Sequence, residues 1–145
     1  MPALVFAVTL GLLGGVAVGL QGPLASIMSQ RIGVWGSVLI IHLGGALLAV
    51  VLVLLLGGGN LAAARELPWY VLGAGALGVV VLSAVSYTIP RIGVTSTVTL
   101  IVAAELAVGA VLDHFGLLGA AVREIDLVRF IGLVVLFIGT WLIVR

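Results

Sequence analysis

The chain contains no cysteine and no lysine, and it has few charged residues of any kind. The lack of cysteine excludes disulfides, thiolate metal sites and thiol catalysis. Charged residues make up only 8% of the 145 residues, and the six basic residues are arginines scattered along the chain. Because a nucleic-acid-binding surface needs its basic residues clustered, no nucleic-acid partner is expected.

Apolar side chains dominate what is present. Hydrophobic residues make up 63% of the chain and the mean hydropathy is +1.47, far outside the range of soluble domains. The apolar runs reach the roughly 20 residues that cross hydrocarbon as a helix, and they show no alternation typical of a barrel. The sequence therefore predicts an all-α integral membrane protein with a single transmembrane domain over residues 1–145. Five transmembrane helices are predicted, over residues 4–28, 34–56, 69–88, 94–112 and 128–144.

The first predicted helix has one face formed by glycines and contains a proline. Gly11, Gly15 and Gly19 recur every four residues, which suits close packing against another helix. Pro23 removes a backbone donor and predicts a kink nearby. The helix either packs closely in the ordinary way, or it lines a substrate cavity and moves, with Gln21 as a polar group of that cavity.

A five-residue pattern occurs twice, sixty residues apart. Gln30-Arg-Ile-Gly-Val34 precedes the second predicted helix, and Pro90-Arg-Ile-Gly-Val94 precedes the fourth. Reuse of one tight connection between spanning helices, ancestral duplication and an anion-binding role for the arginines all fit this pattern.

The arginines are balanced between the two sides of the membrane. With five helices, one side carries Arg65, Arg123 and Arg129, and the other carries Arg31, Arg91 and Arg145. Three against three gives the positive-inside rule no preference. The chain is therefore expected to insert both ways, and opposed copies are expected to pair as an antiparallel dimer of ten helices. The alternative is one orientation, fixed by a partner protein, by the amino terminus or by deep placement of Arg129.

Glu105 is an acid within an apolar run, roughly 3 Å from the middle of the fourth predicted helix. Exposing its carboxylate to lipid would cost at least about 2.5 kcal/mol, so it must face protein or water. Loss of water favours the protonated form, and the residue therefore suits competition between a proton and a cationic substrate. In an antiparallel dimer two copies of Glu105 would titrate as a pair. The alternative is a protonated Glu105 that only hydrogen-bonds to a neighbouring helix.

His42 is the second ionisable group within a predicted helix, about 4.5 Å from Glu105 in depth. Either the two side chains share a hydrogen bond, or His42 is neutral and satisfied by a backbone carbonyl. Tyr87, Thr95 and Thr99 could add polar lining, although threonine hydroxyls also bond to their own helix. The chain shows no catalytic or metal-binding motif, so neither an enzyme nor a cofactor is expected.

Four short segments give the chain a resemblance to a known family. They are Gly19-Leu-Gln-Gly-Pro-Leu24, Pro68-Trp69, Pro90-Arg-Ile-Gly93 and Leu112-Asp-His-Phe-Gly116. With the five-helix pattern, they resemble the half-size branch of the EamA-like drug/metabolite transporter superfamily, in which one chain corresponds to one repeat. The resemblance implies a transporter of the bacterial inner membrane that works as an antiparallel homodimer or with an inverted paralogue.

The chain departs from that branch at two positions. The Glu105 position is often glutamine there, and the residue after Gln21 is often asparagine where this chain has Gly22. Glu105 is therefore not expected to be required by the fold, and we expect it to be specific to the substrate of this chain.

These observations predict a proton-coupled exporter of a small organic cation or amphipathic metabolite. Its partners would be the lipid bilayer, the substrate, protons and an inverted copy. The alternatives are a transporter of a neutral metabolite in which Glu105 only hydrogen-bonds, a small ion channel, and a membrane assembly subunit that transports nothing.

Overall fold

The computed structural model describes residues 2–57 and 59–145, whose regular structure is entirely helical. Two short 3-10 turns, Leu61–Glu66 and Leu117–Gly119, lie in the connections. Four stretches of the described residues are long and apolar enough to cross a membrane: Ala3–Leu56, Trp69–Ile92, Val94–Phe115 and Leu127–Val144. The α-helices are α1 (Pro2–Leu56), α2 (Trp69–Leu72), α3 (Ala74–Ile92), α4 (Val94–Phe115) and α5 (Leu127–Val144).

The first helix is divided by Gly33. At 55 residues α1 would be about 80 Å long if straight, against about 30 Å of hydrocarbon. Gly33 leaves the helical region with φ 80° and ψ 161°, so α1 consists of two arms, residues 2–32 and 34–56. The arms correspond to the first two predicted spans and bring the apolar helical segments to five. The departure from helical dihedrals at Gly33 lies in the predicted connection between those spans, whereas the helix continues through Pro23, near which a kink was predicted.

The chain divides into two compact units, one ending at Pro90 and the other covering Arg91–Arg145. In the first unit both arms of α1 contribute to a small apolar core with α3, formed by Ala25, Val38 and Leu82. Gly22 is buried at the same contact. A Cβ at that position would lie only 3.1 Å from Cδ1 of Ile89, so the glycine allows α1 and α3 to approach closely.

Two buried serines hold this unit together where apolar contact is sparse. The Ser37 hydroxyl donates to the carbonyl of Ala25 over 3.0 Å, joining the two arms across the break at Gly33. The Ser29 hydroxyl donates to the carbonyl of Ser86 over 3.2 Å, joining α1 to α3. Because a buried hydroxyl without a partner is costly, these bonds also fix how the helices align.

The five-residue sequence repeat has a structural counterpart. Gly93 has φ 83° and ψ 167°, close to the values at Gly33. The succession of buried, half-buried and exposed residues is the same in residues 21–30 and 81–90. Four residues after each glycine stands a buried hydroxyl, Ser37 or Thr97. The repeat therefore extends from sequence to backbone conformation and burial.

In the second unit, the connection from α4 to α5 is bonded to the end of α4. Gly116 ends α4 in the left-handed conformation, with φ 62°. The amide of Arg123 then donates to the carbonyl of Asp113 over 2.8 Å, and the amide of Ile125 donates to Nδ1 of His114 over 3.1 Å. These two bonds return the chain to the end of α4 before α5 begins.

Candidate functional site

Glu105 lies at the centre of α4. The helix covers 22 residues, more than the sequence predicted, so Glu105 is within one residue of its middle, or about 1 Å along the axis. In the single chain its side chain is exposed and lines a groove of about 520 Å³ between α4 and α5. The groove therefore gives the carboxylate a place to meet water or a small molecule near the membrane midplane.

The rest of the groove is mainly apolar. Gly109 on α4 and Gly132 on α5 leave room between the helices, and branched side chains form the walls. An apolar groove with few polar groups is typical of sites for small molecules. The apolar residues that line it are Leu106, Gly109, Ala110, Ile125, Gly132, Leu133 and Leu136.

An ion pair lies at the end of the groove away from Glu105. Nη1 of Arg129 is 4.0 Å from Oδ2 of Asp113, and both side chains are about two-fifths exposed. Arg129 belongs to the first turn of α5, where its amide donates to the carboxylate of Asp126 over 2.7 Å. This helix cap fixes the start of α5 and so places Arg129 beside Asp113.

Sequence reasoning did not assign Asp113 and Arg129 to a site. Asp113 lies just beyond the end of the fourth predicted helix, although Glu105, Gly109 and Asp113 recur every four residues and so share one face of α4. That spacing could have placed Asp113 with Glu105. Arg129 had no such signal, because its position depends on how the connection returns to α4.

His42 has the backbone partner that one interpretation of the sequence required. In the first unit its Nδ1 donates to the carbonyl of Val38 over 2.8 Å. Its Nε2 faces α3, where a Cβ on Gly78 would approach within 3.1 Å. In the neutral form of the ring, this bond leaves Nε2 as the acceptor. A hydrogen bond between His42 and Glu105 stays a prediction.

The other predicted binding residues are surface groups of the single chain. Gln21, Tyr87 and Thr95 are exposed, and the hydroxyl of Thr99 donates to the carbonyl of Thr95 over 2.8 Å. Thr99 thus bonds to its own helix. Among the described residues that line the groove, Glu105 is the one that the sequence predicted to bind substrate.

The glycine face of α1 is open in the single chain. No described atom outside the local helix backbone lies within 4 Å of a Cβ built on Gly11, Gly15 or Gly19. Pro23 is half-buried beyond this face. The predicted close helix contact would therefore need a surface outside the described chain. Within the described residues, no group of three or more histidines and acids is arranged to hold a metal ion.

Comparison with known proteins agrees with the apolar helices of the chain. The sequence profile of the family described as "Putative inner membrane exporter, YdcZ", a drug/metabolite transporter-type family, matches residues 6–142. No curated protein matches the chain significantly, and no solved structure does. The match covers nearly the whole sequence, so the chain is a half-size member of this family of multi-pass inner membrane transporters.

Proposed function

We propose that the protein exports small amphipathic organic cations in exchange for protons, with Glu105 binding each in turn. The observation that carries this proposal is a carboxylate at the middle of α4 that opens into an apolar groove. Membrane transport follows from the family. The cation and the proton follow from the chemistry of this side chain.

The cost of a charge at this depth couples the two ligands. A bare carboxylate near the midplane is unfavourable by at least about 2.5 kcal/mol, so Glu105 is stable when it holds a proton or faces a cation. A cation that enters the groove displaces the proton, and reprotonation releases the cation. The carboxylate holds either the proton or the cation, and it is least stable when it holds neither, because its charge is then unpaired. The protonated and cation-bound forms are therefore the ones favoured for the conformational change of transport.

The apolar walls of the groove favour organic cations over inorganic ones. Leu106, Leu133 and Leu136 offer apolar contact, and the volume of about 520 Å³ lies within the range of sites for drug-sized molecules. A strongly hydrated inorganic ion would lose water there without gaining polar ligands. An ammonium group attached to an apolar body gains contact with both Glu105 and the leucines.

The working unit is an antiparallel pair of chains. Residues 3–18 of α1 are exposed throughout, including the open glycines Gly11 and Gly15, which leaves this arm available for a second copy. The balance of arginines favours insertion in both orientations. Two opposed copies would give a groove that opens to each side and would bring two Glu105 carboxylates to similar depth.

Proton release on binding tests the exchange. Purified protein in weakly buffered detergent is titrated with an alkyltrimethylammonium salt, and the released protons are measured with a pH dye. We expect release from the wild type and none from Glu105→Gln, with Glu124→Gln as the matched control for loss of an acid outside the groove. Binding by both Glu105 forms without proton release would leave Glu105 as a hydrogen-bonding group and would refute the exchange.

Orientation requires a separate measurement. Two arginines added to one side of the chain should shift the locations of both termini toward a single orientation. An unchanged mixture would show that the balance of arginines does not determine insertion.

A further inference from the structure

The two acids of the groove lie on the same face of α4 but in different electrical surroundings. Glu105 and Asp113 are eight residues apart, which places them about 12 Å apart along the helix. Glu105 has apolar neighbours in the groove, whereas Asp113 is paired with Arg129. The groove thus holds two carboxylates, one of which faces a guanidinium.

Arg129 is held in place by more than its attraction to Asp113. Its amide donates to the carboxylate of Asp126, and its Nη1 donates to the carbonyl of Arg123 over 3.3 Å. The guanidinium therefore stays at this end of the groove although the distance to Asp113, at 4.0 Å, is at the limit of an ion pair. A ligand that approaches Asp113 also meets a fixed positive charge.

We infer that Arg129 determines specificity by limiting the groove to cations with a single charge. With Arg129 present, Glu105 is the one carboxylate without a cationic partner in the groove, and a second positive charge on the ligand would meet the guanidinium. Without Arg129, the two carboxylates would match a ligand with two ammonium groups about 12 Å apart. This inference rests on the proposed binding of cations at Glu105.

Three probes separate these possibilities. The first is an alkyltrimethylammonium with one charge, and the second is an α,ω-bis(trimethylammonium) alkane with its nitrogens about 12 Å apart, to match the helix spacing. The third is a shorter dication with about half that spacing. Dissociation constants are measured by calorimetry on the full chain in detergent, for the wild type and each variant.

The wild type should prefer the single charge. In Arg129→Gln the ratio of affinities should shift about fivefold toward the long dication, the scale of one partly exposed ion pair. The short dication should gain nothing. Asp113→Asn combined with Arg129→Gln should return the ratio to the wild-type value, because the second carboxylate is gone. Arg123→Gln, which changes an arginine on the connection before α5 and outside the lining of the groove, should leave the ratio unchanged.

An unshifted ratio in Arg129→Gln would overturn the inference, as would a shift that persists in the double variant. If Arg129→Gln does not fold, Asp113→Asn serves instead, since it leaves Arg129 without its partner and should weaken binding of the single cation about fivefold. Unchanged binding in that variant would also overturn it. Failure of the proposed function looks different, because wild type and Glu105→Gln would then bind the single cation equally, whatever stands at position 129.

Discussion

Replacing Gly33 with alanine should destabilise the first unit through the backbone alone. At φ 80° and ψ 161°, Gly33 occupies a region that is essentially limited to glycine, and a residue with a Cβ there costs about 1–3 kcal/mol. A Cβ at Gly33 would have no atom within 4 Å, so steric contact with neighbours adds nothing. If α1 straightened instead, it would lose the bond between Ser37 and Ala25 that crosses the break.

Gly45→Ala is the matched control, because Gly45 lies in the same helix with helical dihedrals and equally open surroundings. Alanine there should be neutral or slightly stabilising, by at most about 1 kcal/mol. At about 3 °C per kcal/mol for a chain of this size, Gly33→Ala should lower the melting temperature by about 3–9 °C.

Tryptophan fluorescence during heating in detergent measures both variants. Equal melting temperatures for Gly33→Ala and Gly45→Ala would refute the assignment of a strained break at Gly33. Gly93→Ala should behave like Gly33→Ala, because its dihedrals are nearly the same.

Two further predictions concern the histidines. Gly78→Ala places a Cβ 3.1 Å from Nε2 of His42, so it should lower the melting temperature, whereas Gly75→Ala, with open space around it, should not; equal effects would contradict the contact. His114→Phe removes the acceptor of the Ile125 amide, whose hydrogen exchange should accelerate, while the Arg123 amide, bonded to the carbonyl of Asp113, should stay protected.

The transmembrane helices could be predicted from the sequence, because a backbone in lipid must satisfy its hydrogen bonds within the chain. Apolar runs of about 20 residues must be helical, and the five predicted spans correspond to the five apolar segments of the structure. The break at Gly33 lies in the connection predicted between the first two spans, whereas α1 keeps its helical conformation through Pro23, near which a kink was predicted. Proline lowers helix stability on its own account, but whether it bends a helix depends on the contacts around it.

The candidate site was predictable in part for a similar reason. Placing an acid within an apolar transmembrane helix costs free energy, so such a residue is expected to have a functional role, and Glu105 could be proposed as a site residue from the sequence. The pairing of Asp113 with Arg129 depends on Gly116, on two bonds from the returning connection and on the cap at Asp126. None of these leaves a periodic pattern, so the charge balance of the groove became visible only in three dimensions.

The two helices that form the groove, α4 and α5, differ in length and so match the thickness of the bilayer differently. At 22 and 18 residues, the helices measure about 33 Å and 27 Å. In a hydrocarbon core of about 30 Å, α5 nearly matches the membrane, while the last turn of α4, with Asp113 and His114 about 12 to 14 Å from Glu105 along the axis, lies near the edge of the core. Longer acyl chains would draw that turn toward hydrocarbon, where its charges are costly. Lipid chain length would thus change the cost of the charges at this end of the groove without any ligand bound.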